Sequence, residues 1–426
     1  MLLKKLIYFS LVFLLSLSIL GFADKTESAT ISAPSLSNYP SSHYSSNNYQ
    51  SSNYTSSHSS INQGYYNRTY FSNPFPLCIP RSGDEDKPNK LKEKIVPGTQ
   101  KGVYLTGYSM GIAKKREEIY KLIDETELNC IVFNAKDDSG YINYDTNIKL
   151  AIESKAKNVL YNIDEILKEM DERNIYSIAR VVVFKDSIIP KAHPELAIKD
   201  SRNGKPLNSE GSNWPDIYCE TYWDYIIEIV KELAQKGVDE VQFDYIRGPA
   251  KGNIAFAQYS YNTGNNSKSW ALQNFLKKVT DAVKEYNIKI SADVFGFVLI
   301  ENNDQGIGQL IEDIGPYVDY LYPMPYPSHY SKGFLGYSLP EEHPYEVVKY
   351  TLEKGLARID QTNCIMMPWI QAFGLKINYT KDDILAQIKA AEDLGINGFL
   401  FWNAANKYGV VREALIERYK LSEKPK

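Results

Sequence analysis

Eight short apolar runs recur along the chain, at Val103 to Thr106, Cys130 to Ala135, Ile175 to Phe184, Val238 to Tyr245, Ile288 to Phe297, Val318 to Met324, Cys364 to Ile370 and Ile396 to Asn403. The stretches between them carry helical spacing. In Tyr222 to Ala234, the residues Tyr222, Tyr225, Ile226, Ile229, Val230 and Leu233 recur every three or four positions, with Glu228, Lys231 and Glu232 opposite. Leu272 to Val283 and Ile384 to Leu394 repeat the pattern. Several helical stretches end in Gly or Asn just before the next apolar run, as in Lys236-Gly237-Val238, Tyr286-Asn287-Ile288 and Leu394-Gly395-Ile396. Strand and helix alternating eight times predict an α/β fold, a (β/α)8 TIM barrel, for which roughly 250 residues is usual and loop insertions add the excess. A doubly wound open sheet is the alternative, and it lacks support because no G-x-G-x-x-G follows any strand.

The barrel is expected over residues 95–421, with 422–426 as a tail. Upstream, Lys4 and Lys5 precede the apolar run Leu6 to Phe22, and Gly21-Phe22-Ala23 precedes Asp24. Residues 1–23 therefore read as an export signal, or as a membrane anchor if uncleaved. In the segment 24–94, Asp24 to about Asn73 is Ser, Asn and Tyr with few aliphatics, and a charged run, Asp84 to Lys94, closes it. Such a segment buries too little apolar surface to offset its ordering entropy and is expected to be a disordered spacer. A cell-wall adhesion or cross-linking role is its functional alternative.

Charge and composition narrow the partners. Lys+Arg 48 against Asp+Glu 52 leaves a net charge of -4, which argues against nucleic acid as a partner. Five His and four Cys (Cys78, Cys130, Cys219, Cys364) form no C-x-x-C or H-x-x-x-H, so no metal or other cofactor is expected.

In a barrel of this kind the site lies at the C-terminal ends of the strands. Those ends offer Asn134-Ala135-Lys136-Asp137-Asp138, then Arg180, then Asp244-Tyr245-Ile246-Arg247, Asp293, Tyr322 to Tyr330 including Tyr326 and His329, then Trp369-Ile370-Gln371, and Trp402-Asn403. Asp244 and Asp293 end adjacent strands, the arrangement needed for one carboxyl to protonate a leaving oxygen while the other attacks or activates water. One must be protonated and the other ionised, which burial and mutual repulsion can arrange. The structural alternative pairs Asp244 with Arg180 or Arg247 and makes Asp293 a strand-end cap. Asp137 is a third catalytic candidate, or part of a charged turn, Lys136-Asp137-Asp138-Ser139-Gly140. Lys136, Arg180, Tyr245, Arg247, Tyr322, Tyr326, His329, Trp369, Gln371, Trp402 and Asn403 are the expected substrate-binding residues, the aromatic rings suiting the apolar faces of sugars. Glu240, at the start of its strand, is expected to be structural.

The motifs Lys101-Gly102-Val103-Tyr104-Leu105-Thr106, Asn134 to Tyr141, Ala179 to Asp186, Tyr222-Trp223-Asp224-Tyr225, Val241 to Arg247, Ser291 to Gly296 and Pro323 to Tyr330 resemble those of a family of uncharacterised bacterial exported proteins, described as glycoside hydrolases with a (β/α)8 barrel. The resemblance covers almost all of residues 97–420. The chain departs from the pattern at Asn134, where an acidic residue is common, and at Gly248, where an aromatic one is. The resemblance implies a polysaccharide substrate and no cofactor.

The expected function is an exported glycosidase acting on a cell-envelope or extracellular polysaccharide, secreted or envelope-associated, touching the membrane only if the export segment stays uncleaved. Oligomeric state is left open. The alternative is a non-catalytic glycan-binding or structural barrel of the cell surface or spore coat. Metal-dependent glycan deacetylation through Asp244, Asp293 and His329 is a third reading.

Overall fold

The structure, a computed structural model, describes residues 95–359 and 362–422. The expected export segment, the expected spacer and residues 423–426 lie outside the described residues. The barrel strands are β1 Lys101–Leu105, β2 Cys130–Lys136, β3 Tyr176–Val182, β4 Glu240–Asp244, β5 Lys289–Phe295, β6 Tyr320–Met324, β7 in two pieces, Ile365–Met366 and Trp369–Gln371, and β8 Phe399–Trp402. Every neighbouring pair is parallel. The first piece of β7 pairs with β6 and the second with β8, so the ring closes through β7 itself. The interruption falls at Met367-Pro368, where proline has no N–H to give to a ladder. Met367 N still donates to Leu321 O, and Leu400 N to Pro368 O, both at 3.0 Å. The (β/α)8 barrel expected from the eight apolar runs is the fold observed.

One outer helix follows each strand: α1 Ala113–Asp124, α2 Ile163–Glu172, α3 Glu220–Gln235, α4 Lys268–Val283, α5 Ile311–Ile314, α6 Pro344–Ile359, α7 Lys381–Glu392 and α8 Gly409–Ser422, with short extra helices in the connections. The face of α3 predicted by spacing is the buried one, with Tyr222, Tyr225, Ile226, Ile229, Val230 and Leu233 all against the barrel. Each of its aliphatic residues contributes about 1.5–3 kcal/mol of burial. Gly237 and Gly395 take the left-handed conformation (φ +87° and +79°) that ends α3 and α7 and aims the chain into the next strand. Asn287 does not; α4 ends at Val283 and the chain bends through Tyr286. The fifth helix is cut to one turn, because Pro316 follows it and Gly306 and Gly308 turn the chain ahead of it.

Register places polar groups inside the barrel. Asn134, Arg180, Gln242 and Ser291 pair in one row across β2, β3, β4 and β5. Asp244 and Asp293 are the next residues on the same face of β4 and β5. Barrel interiors are ordinarily filled by branched apolar side chains, so this row marks where the fold departs from pure packing. Above it, the β3–α3 connection carries a small hairpin, Asn208–Ser209 with Ser212–Asn213, and its Lys199–Asp200 pairs with Ala257–Gln258 of the β4–α4 connection. Cys130, Cys219 and Cys364 are buried free thiols.

At the barrel base Gly102 packs directly on β2. A Cβ there would stand 2.4 Å from Cys130 Sγ and 2.6 Å from Cys130 O. Gly102→Ala is expected to destabilise the chain by roughly 1–3 kcal/mol through overpacking, read as a lower urea midpoint; an unmoved midpoint would mean that β1 and β2 can part at this point.

Candidate active site

The centre of the site is a guanidinium. Arg180 of β3 donates from Nε to Asp244 Oδ2 at 2.9 Å and from a second nitrogen to the same oxygen, and from its third nitrogen to Asn134 Oδ1 at 2.8 Å. Its plane lies over the rings of Trp402 and Tyr104, 5.3 and 5.6 Å from their centroids, and those rings stack on each other at 4.1 Å. Such cation–π contacts strengthen when water is excluded.

Asp244 ends β4. Its other oxygen, Oδ1, accepts from Tyr245 N at 2.6 Å. Tyr245 has φ +49°, a left-handed conformation that costs a non-glycine residue about 1–3 kcal/mol and is often found at functional sites. The turn throws the Tyr245 ring between Lys185 Nζ (4.7 Å) and Arg247 (4.9 Å).

Asp293 of β5 is 1 % exposed against 8 % for Asp244. Its Oδ1 accepts from Trp369 Nε1 across the barrel at 2.7 Å. Burial pushes its carboxyl well above the ordinary aspartate range, and the charge of Asp244 adds to that; Trp369 and Arg180 pull the other way without cancelling it. Gln309 ties the two carboxyl-bearing strand ends together: its Nε2 donates to Asp293 O (3.2 Å) and Ile246 O (3.3 Å), and its Oε1 accepts from Phe295 N (3.0 Å).

Tyr326, after β6, is buried beside these groups. Its hydroxyl has no hydrogen-bond partner among the described residues, and the charges of Asp293, Asp244 and Arg180 all act on it. It is a donor with unused capacity at the carboxyl pair. His329 is exposed on the loop after β6, its ring 5.3 Å from Tyr326 and 6.3 Å from Phe373, and partial desolvation lowers its pKa.

Other expected site residues are placed differently. Lys136 is completely buried, its Nζ 2.9 Å from both Asp186 Oδ2 and Val182 O. Asp137 caps its own turn: Oδ1 accepts from the N–H groups of Ser139, Gly140 and Tyr141 at 3.0–3.1 Å, and Oδ2 from Asn143. Arg247 pairs with Glu210 (3.1 Å) from the hairpin and packs against Trp214 and Phe295. Tyr322 and Trp369 are buried beneath the rim. Gln371 accepts from Ser328 N and Oγ and donates to Phe373 O, bracing the β6 loop. Asn403 holds Ala372 O and the N–H of Ala405.

Asp138, read above only as part of a strand end, is exposed. It pairs with Lys185 at 3.4 Å, and its charge acts on Tyr104, Arg180 and Tyr245. Gln309 and Glu210 come from loops, and no periodicity or spacing in the sequence marks them. Among the described residues no group of three or more His, Cys, Asp and Glu side chains is placed to hold a metal ion. Nor is any described helix long and apolar enough to cross a membrane.

The closed parallel ring with a helix after each strand makes the chain a (β/α)8 barrel, with two neighbouring carboxyls at its C-terminal rim. The chain belongs to the family described as "Putative glycosyl hydrolase domain", which matches residues 102–408, well over half its length. It is similar to a hypothetical protein from Ruminiclostridium thermocellum at 36% identity, covering 45% of this chain and 97% of that one, with a TM-score of 0.42. It is also similar to the PgaB (BpsB) glycoside hydrolase domain from Bordetella bronchiseptica, at 12% identity over 74% of this chain and 98% of that one; the TM-score of 0.54 shows a shared fold. A GH18 chitinase from Pseudoalteromonas aurantia matches at 12% identity over 76% of this chain and 100% of that one, with a TM-score of 0.45. No curated protein matches.

The buried Lys136–Asp186 pair offers a test of the scaffold beneath the site. Lys136→Met leaves the Asp186 carboxylate without its cation and is expected to cost about 3–5 kcal/mol of stability, measured by chemical denaturation.

Proposed function

We propose that the chain is an exported glycosidase cleaving a cell-envelope or extracellular polysaccharide, with Asp244 as nucleophile or base and Asp293 as general acid. The observation that carries this reading is the contrast between the two neighbouring carboxyls. Asp244 lies against two N–H groups of Arg180, a setting for a carboxylate. Asp293 is buried beside it, where burial and the charge of Asp244 favour its protonated form. Arg180 would hold Asp244 in place, and Tyr326 would donate to the substrate or to the attacking oxygen. Trp402, half-buried at the rim, would offer its ring to a sugar, with Tyr104 stacked behind it.

In the first step the bond from the anomeric carbon to the leaving oxygen breaks, and the Asp293 proton passes to that oxygen. The electron pair that replaces the broken bond comes from Asp244 itself or from a water that Asp244 deprotonates. The export signal expected in residues 1–23 fits an extracellular substrate. A second reading, a barrel that binds glycan without cleaving it, draws on the burial of Asp293.

Asp293→Asn keeps an acceptor for Trp369 and matches the neutral acid in shape. Its turnover on polysaccharide is expected to fall by about 10²–10⁴ and to recover on an aryl glycoside whose leaving group needs no proton. Asp244→Asn is expected to lose turnover on both substrates, and also stability, because Arg180 is left buried without its carboxylate; it is assayed below its own unfolding temperature. Full turnover in both variants would overturn the assignment. Glycan binding with no product from the unaltered chain would establish the second reading.

A further inference from the structure

Three carboxyl groups enter the barrel interior from two adjacent strands: Glu240 and Asp244 of β4 and Asp293 of β5. Arg180 answers one of them. Glu240 is completely buried and lies two inward positions below Asp244. Ser291 Oγ donates to its Oε1 at 2.5 Å. Its Oε2 has no partner among the described residues, and neither do both ends of the Gln242 side chain and the hydroxyls of Tyr176 and Tyr322. The two tyrosines face the carboxyl without closing a hydrogen bond of good geometry, although both ease its burial.

Five buried polar atoms left this way are costly. A charge on Glu240 would be costlier still. Lys289, in register with Glu240 on β5, is paired with Asp319 at 2.7 Å. The other groups acting on Glu240 or acted on by it are the Cys130 thiol on β2, Tyr320, and the carboxyls of Asp319 and Asp293. None of these supplies a countercharge. Burial, with the charge of Asp319 added, pushes the Glu240 carboxyl up to about 8.

We propose that Glu240 is a positioning residue for the general-acid step: buried among Gln242, Tyr176 and Tyr322 with no cation beside it, it is kept as a neutral acid, and its ionisation sets the alkaline limit of turnover. This rests on the reading of Asp293 as the acid. When Asp293 gives up its proton and Asp244 either becomes esterified or takes a proton from water, one carboxylate is left where there was one before, so the interior charge does not change. A charged Glu240 below adds an anion that nothing offsets, and Asp293 then holds its proton more tightly.

The experiment combines a pH profile with a readout that needs no activity. The unaltered chain is expected to lose kcat with a midpoint near 8, and Glu240→Gln to move that limb upward by about one pH unit or more. Infrared spectra of the unaltered chain carrying ¹³C-labelled glutamate are expected to show a buried carboxylic-acid band that titrates over the same range and is absent from Glu240→Gln. The folded chain holds this proton and the unfolded chain releases it near pH ~4.3, so stability is fully present below that pH and falls as pH rises towards 8. Glu240→Gln removes that slope.

No titrating glutamate band in the unaltered chain overturns the proposal even if the variant fails to fold. A band with an unmoved kinetic limb overturns the coupling to Asp293. Unreduced turnover in Asp293→Asn overturns the acid assignment itself, a result the infrared readout does not depend on.

Discussion

Arg180 takes a full positive charge into the inside of a barrel, and the arrangement around it follows from the need to stabilise that charge. A buried guanidinium is costly unless paired and fully hydrogen-bonded. Here Asp244 takes two of its N–H groups and Asn134 a third, while Tyr104 and Trp402 cover its face. Side chains from β1, β2, β4 and β8 therefore converge on one group of β3. Because the cation is used by Asp244, Asp293 on the neighbouring strand is left with an indole N–H and no countercharge of its own. One guanidinium thus gives two otherwise similar carboxyls different surroundings.

Much of this was legible in the sequence, and the limits are physical. Hydrophobic period fixed the eight strands and the buried face of α3, since burial on one face is what periodicity records. Counting the strands also placed Asp244 and Asp293 side by side. The same count could not separate a rim residue from one beneath it. Lys136 and Gln371 stand at strand ends as Arg180 does, yet β2 carries a register shift between Asn134 and Lys136, and the Lys136 side chain turns to Asp186. The expectation that Asp244 could pair with Arg180 or Arg247 was an open choice in one dimension; in three, Glu210 occupies Arg247. Gln309 and Glu210 were invisible because they act from loops, where position depends on how the chain folds back.

Glu240 illustrates a different limit. Its place at the start of β4 reads as scaffold, and in the sense of contact with substrate it is. Yet its carboxyl shares the barrel interior with Asp293, and in a poorly screened interior charge acts over more than one layer of side chains. A residue can belong to the stability end of a barrel by position and to the site by electrostatics.

The pairing of Lys199–Asp200 with Ala257–Gln258 joins the connections after β3 and β4 into one body, and Glu210, from the first connection, holds Arg247 at the root of the second. The rim beside Asp244 is therefore a single inheritable module, whereas the rim beyond Asp293 is built on a connection with one turn of α-helix between two short 3-10 turns. Exchanging the first part of the rim between such barrels would require both connections to move together, while the second can vary by itself.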